Sequence, residues 1–286
     1  MNHFMSLTEK QILEWHMDVG VDECIAEEPS SKLNVLPTSM ADVLKVAEKK
    51  PVSMLGNVVQ EFNPPKPKSQ NADGFIPLGT AEAAQDAQRI AKACNTVEEL
   101  EKALNEFEGC PLKRTAKFTV FKDGNPDAKI MVIGECPGTD EDNSDKPFSG
   151  QSGLLFDKMF DAIGYNRAAE NVDKSLYLTN LVFWRPPGSR VVSDSEIEIC
   201  RPFALRHIEL IKPEILVIMG GVTAKSLLRT SHGITRLRGK WTEIKTDIDE
   251  ASITALPMLH PEFLLKSPDR KKHAWHDLLL LKDKLS

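Results

Sequence analysis

The sequence predicts an α/β fold: a parallel sheet of four strands with helices over both faces. Three observations carry this reading. Short apolar runs of strand length end in Gly, Trp or Pro-rich turns, segments of helical spacing separate them, and the two alternate without a break from about residue 129 onward. Such β-α-β-α order demands right-handed crossovers and hence a parallel sheet covered on both sides.

Taken in order, residues 80–108 read as two helices broken at Asn95-Thr96, with Thr96 ahead of Glu98 and Glu99 as a cap. KIMVIG (129–134) is the first buried strand, and SGLLFDKMFDAIG (152–164) the first crossover helix. SLYLTNLVFW (175–184) is the second strand, followed by a helix over 193–211 opened by Ser193 or Asp194. EILVIMG (214–220) and ITALPML (253–259) are the third and fourth strands, with helices at 222–229 and near 270–284. Ahead of this domain, assigned to 80–286, residues 1–79 form an acidic, Pro-rich segment without sustained period. It is expected to be largely disordered, with short helices at 6–18 and 39–49, one of them a docking site for a protein partner.

Composition narrows the function classes. The 286 residues carry a net charge of −6, but residues 1–83 hold 7 Lys/Arg against 12 Asp/Glu, so the remainder is close to neutral. A near-neutral domain binds DNA only through a local basic face. No apolar run approaches the roughly 20 residues that span a bilayer, so no membrane association is expected. The opening MNHFMSLTEKQ shows no secretory pattern. Five scattered cysteines without a CxxC pair argue against a disulfide framework and for a reducing compartment, with the cytoplasm expected.

In a parallel sheet, ligands bind beyond the carboxyl ends of the strands. The first exit loop, GECPGTDEDNSDKPFSGQSG (134–153), has Gly134 and Gly138 for close backbone approach to a ligand, yet it is neither a GxxxxGK[ST] nor a GxGxxG phosphate loop. Glu135 either orients a water or caps a turn. Phe148 either stacks on a base or anchors the loop. Asn180 ends the second strand among apolar residues, where an amide needs partners. It either reads both edges of a planar pyrimidine or bonds the local backbone. Arg185 and Arg190 bracket a stiff Pro-Pro-Gly turn. Gly220 opens a helix whose free N–H groups suit a phosphate or merely allow tight packing. His260, held before Pro261 and so outside a helix, is a candidate donor to a developing anion. Phe263-Leu264-Leu265 beside Lys266 suits either a wedge into a base stack or the core.

Together GECPG (134–138), PFSGQSG (147–153), TNLVFWRPPGSR (179–190), RLRGKW (236–241) and HPEFLL (260–265) closely resemble family-4 uracil-DNA glycosylases, over roughly residues 105–284. The resemblance implies a three-layer α/β/α sandwich and an enzyme that flips uracil from DNA and hydrolyses its glycosidic bond, initiating base excision repair. It implies that Glu135 positions the water and Phe148 stacks on the extruded base. Asn180 pairs with uracil's polar edge and excludes cytosine, Gly134 and Gly138 border the base, and His260 stabilises charge on the departing ring. The 261–266 stretch, with Leu264 and Leu265, enters the duplex, while Ser189, Arg190, Gly220 and Lys266 contact phosphates.

One departure stands out. Many members hold a 4Fe-4S cluster on four cysteines, whose positions correspond here to Phe107, Cys110, Trp184 and Cys200. Two thiolates of four are missing, so no cluster is expected, Cys110 and Cys200 being remnants, and Cys94 offers no evident substitute. The protein is expected to work as a monomer, without cofactor, on uracil-containing DNA. The alternatives are a glycosylase of altered base choice, such as hypoxanthine or xanthine, and a non-catalytic DNA-binding or polymerase-associated module. Covalently trapping relatives carry a basic loop ending in His after the second strand. RPPGSRVVSDS lacks that histidine, so turnover is expected.

Overall fold

A computed structural model describes residues 78–246 and 252–285. The expectations for residues 1–77 lie outside the described residues. Helices α1 (Leu78–Ala93) and α2 (Val97–Glu106) part at Asn95-Thr96. There the Thr96 hydroxyl accepts the Glu99 N–H at 3.1 Å and the Glu99 carboxylate accepts the Asn95 N–H at 2.7 Å, satisfying two donors that a helix start leaves open.

The sheet has six strands in the order β1-β3-β2-β4-β6-β5. Its centre is the expected parallel set: β2 (Ile130–Gly134), β3 (Leu176–Asn180), β4 (Ile215–Met219) and β6 (Ser252–Met258). Two antiparallel edge strands, β1 (Asp123–Gly124) beside β3 and β5 (Thr242–Lys245) beside β6, extend the four that the sequence announces. β1 is two residues long and β5 has a single apolar residue, Ile244, so neither carries a readable period.

Side chains alternate across the sheet and fill two separate cores. Met131, Ile133, Tyr177, Leu216 and Ile218 face α1, α2, α5 (Asp194–Ile211) and α6 (Gly221–Leu228). Ile130, Val132, Leu176, Leu178, Val217 and Met258 face α4 (Gly150–Asp161), α8 (Pro261–Lys266) and α9 (Lys271–Lys284). This is the three-layer sandwich. At about 1.5–3 kcal/mol for each large apolar side chain buried, the all-apolar runs IMVI and ILVIM account for the sheet's central place. Helix α5 is set by a capping box, Ser193 with Glu196. Two further short helices, α3 (Thr139–Ser144) and α7 (Ile234–Leu237), complete the described α-helices.

Candidate active site

β2 and β3 run parallel with Gly134 paired to Asn180, so the last residues of both strands present the same face at the carboxyl rim. A Cβ on Gly134 would lie 2.3 Å from Asn180 Oδ1 and 3.0 Å from the Phe148 ring. Only glycine lets the amide and the ring meet there. Asn180 is buried, and its Nδ2 donates to Glu141 Oε1 at 3.3 Å. That bond orients the amide, turning Oδ1 toward Gly134.

Glu141 was not singled out by the sequence reading, and it organises the loop. Oε1 also accepts the Phe148 N–H at 2.6 Å, and Oε2 accepts the Gly138 N–H at 2.7 Å. Burial pushes its carboxyl above the usual carboxylate range, while the Gly138 and Phe148 N–H groups, His260 and Asn180 favour the ionised form. The spacing Gly138 to Glu141, a helix start and its third residue, was the available signal. Arg167 is a second unanticipated residue. It donates to Pro147 O at 3.0 Å and Phe148 O at 2.9 Å while bonding Asp157 and Asp123. Phe148 sits at φ 53°, a conformation costing about 1–3 kcal/mol for a non-glycine residue. Glu141 and Arg167 hold it from its two sides.

The Phe148 ring stacks on His260 with centroids 5.7 Å apart and planes 23° apart. His260 is the N-cap of α8, as Pro261 dictates, and its Nδ1 accepts the Glu262 N–H at 3.2 Å. A neutral imidazole bonded this way carries its proton on Nε2 and presents a donor. Glu135, on the opposite face of β2, reaches across to α6. Its Oε1 accepts the Val222 N–H at 2.9 Å, so the carboxylate caps the helix that follows the adjacent strand β4. Oε2 takes no hydrogen bond among the described residues and can hold a water. Burial and the neighbouring Glu135 and Glu141 push Cys136 up to about 12, so this thiol is no nucleophile.

A model of the uracil DNA glycosylase superfamily matches residues 121–279. The chain belongs to this superfamily. It is 34% identical to a type-4 uracil-DNA glycosylase of Saccharolobus solfataricus over 64% of this chain and 83% of the relative. Type-4 uracil-DNA glycosylases of Pyrobaculum aerophilum and Sulfurisphaera tokodaii are 26% and 31% identical. Those matches cover 64% and 62% of this chain, and 92% and 80% of the relatives.

Within this superfamily frame, two expected DNA contacts, Leu264 and Gly220, need correction. Leu264 is fully buried in the core under α4, because a short helix turns every third or fourth residue inward. Phe263 and Leu265 are the exposed apolar residues of α8, 42% and 41% accessible. Gly220 offers no free N–H: its own donates to Met258 O at 3.1 Å. A Cβ there would come 2.3 Å from the Glu135 carboxylate, so a phosphate would meet negative charge. Arg190 is held by both oxygens of Glu196, at 2.9 and 2.5 Å. Ser189 is exposed in the turn Pro187–Ser189, and Lys266 remains exposed with only a surface pair to Glu262, worth a few tenths of a kcal/mol at most.

The positions matching the family's iron–sulfur ligands do not fit a cluster. Cys110 and Cys200 are free, buried thiols; the neighbouring Cys200 lowers Cys110, while burial raises Cys200 well above the ordinary thiol range. Phe107 stacks edge-on to Phe203 at 5.1 Å, and Trp184 is buried with its Nε1–H donating to Thr119 at 3.1 Å. Two thiols and two packed aromatics give half a ligand set. Among the described residues no group of three or more His, Cys, Asp or Glu is placed to hold a metal ion, and no helix there is long and apolar enough to cross a membrane.

Proposed function

We propose that this chain is a uracil-DNA glycosylase that flips uracil out of DNA and hydrolyses its N-glycosidic bond, starting base excision repair. The observation that carries it is the convergence of Asn180 and Phe148 on Gly134, both fixed by Glu141, with His260 stacked on the Phe148 ring. The Phe148 ring offers a stacking face to the base. Asn180, oriented through Glu141, presents Oδ1 as an acceptor and its second N–H as a donor, the complement of uracil N3–H and O4. Cytosine offers an acceptor at N3 and a donor at N4, and both clash with that arrangement.

Breaking the bond places positive charge on the sugar and negative charge on the base. The His260 Nε2–H, fixed by the Glu262 backbone, is preorganised to donate to the oxygen where that charge collects. Glu135 holds a water through its second oxygen and stabilises the sugar cation. These steps use side chains alone. The protein works without an iron–sulfur cluster, its aromatic pair packing where a cluster would sit, in a reducing cytoplasmic compartment that keeps Cys94, Cys110, Cys136 and Cys200 free. It acts as a monomer, and its amino-terminal segment, 1–79, contacts a protein partner. The relatives' shared name and the retained Glu135, Asn180 and His260 favour this over altered base choice or a non-catalytic module.

Release of free uracil from a labelled oligonucleotide is the direct test. The expected outcome is uracil and an abasic product from a colourless, iron-free preparation. Intact oligonucleotide would end the proposal, and an iron-containing, brown preparation would end its cluster-free part.

A further inference from the structure

Residues 215–242 contain no Asp or Glu, yet carry Lys225, Arg229, Arg236, Arg238 and Lys240, in a chain whose net charge is −6. RLRGKW lies inside this stretch, and the site described above makes no use of it. Arg238 is spent on the fold: its guanidinium donates to Asp277, which is fully buried, and to the His273 carbonyl. Gly239, at φ +67°, donates to Pro257 O at 3.0 Å, and a Cβ there would lie 2.5 Å from Asp277 Oδ1. Trp241 packs on the α9 side of the sheet under the Lys284 ammonium. The turn after α7 is therefore pinned on both sides of Lys240.

Lys225, Arg236 and Lys240 are exposed, and none has an ion pair among the described residues. Their position matters. Ile234, the first residue of α7, sits 3.8 Å from where a Gly221 Cβ would be. Gly221 opens the helix whose Val222 N–H holds Glu135. α7 also packs against β6, which leads into His260. The cations thus flank the catalytic rim on its β6 side.

We propose that Lys225, Arg236 and Lys240 form a cationic ridge that binds the phosphate backbone of duplex DNA beside the site. This replaces Gly220 as a source of backbone affinity. Its placement beside a DNA site rests on the glycosylase reading, whereas its affinity for phosphates does not. A pinned turn loses little entropy on binding, and each phosphate neutralised releases condensed counterions.

The test compares Lys225→Gln/Arg236→Gln/Lys240→Gln with a charge-matched control, Lys129→Gln/Lys174→Gln/Lys212→Gln, at the strand-entry end. Binding to a uracil-free fluorescent duplex is measured by anisotropy across salt concentrations. The ridge variant is expected to show a log-affinity against log-salt slope shallower by about 2–3, at about 0.9 per contact, with the control unchanged. Its single-turnover uracil release at saturating enzyme should match the wild type. An unchanged slope, or an equal change in the control, overturns the ridge. Wild-type protein that binds duplex DNA with the ridge-dependent slope but releases no uracil overturns the glycosylase reading and leaves the ridge standing.

Discussion

At the residue scale the site is a set of small geometric commitments, each with its own test. Asn180 and His260 supply donors whose partners exist only when a base is seated. Removing one preorganised donor typically costs about 2.7–4 kcal/mol of barrier. Asn180→Ala and His260→Ala should therefore each slow uracil release about 100- to 1000-fold in single-turnover assays while the protein stays folded. Near-normal rates would remove the residue from its role. Glu141→Gln probes the layer behind them. Three donors converge on that carboxylate, and an amide offers one oxygen and an NH2 that must face one of them. A buried donor left unpaired costs about 1–3 kcal/mol, so a roughly 10- to 100-fold slower release is expected, with weaker preference for uracil over cytosine. Unchanged selectivity would mean that something other than Glu141 orients the Asn180 amide.

At the element scale, α8 shows how six residues divide between core and surface. Leu264 is completely buried, and its neighbours Phe263 and Leu265 are not. Leu264→Ala should lower unfolding free energy by about 2–5 kcal/mol in denaturant titration. Leu265→Ala should leave the unfolding midpoint in place and slow release from duplex more than from single-stranded substrate, since a wedge is needed only where a stack must be opened. The reverse pattern would exchange their roles. The sequence could name FLL as apolar but could not assign its faces, because a helix of six residues shows too little period. The strands and long helices, by contrast, were legible from length, capping residues and flanking glycines.

At the scale of the whole molecule, the core on the α5 side of the sheet encloses a buried imidazole. His207 on α5 is buried and stacked on Phe121 at 4.3 Å. The Tyr177 hydroxyl donates to its Nε2 at 2.7 Å, and its Nδ1 faces Thr179 Oγ1, which donates to Phe121 O. Burial lowers His207 to about 3. The unfolded chain takes up a proton on this group below pH 6.5 and the folded protein does so only near pH 3. Stability from this group is thus unaffected above pH 6.5 and falls as pH drops from 6.5 to about 3, by on the order of 2–3 kcal/mol at pH 4.5. Asp277 works the other way: burial raises it to about 6, so the folded state takes its proton first and that contribution rises as pH falls. His207→Gln isolates the first effect. The stability gap between wild type and variant, from urea titrations, should narrow between pH 7 and pH 4.5. A constant gap would show that His207 does not titrate as its burial dictates.

By itself the sequence determined the alternation of strands and helices, the strand-exit position of Glu135, Asn180 and His260, and the family resemblance, because these depend on local period, chain order and the residues beside Gly and Pro. It did not reveal Arg167, or that Glu141 holds more than the Gly138 cap, since the deciding partners Phe148, Asn180 and Asp123 lie 7 to 44 residues away. Nor could it tell that Gly220 and Arg190 were already engaged while Lys225, Arg236 and Lys240 were not. Which donor meets which acceptor is settled only when strands from distant parts of the chain lie side by side, and there the tertiary structure alone decided which charges were consumed by the fold and which were left to meet a ligand.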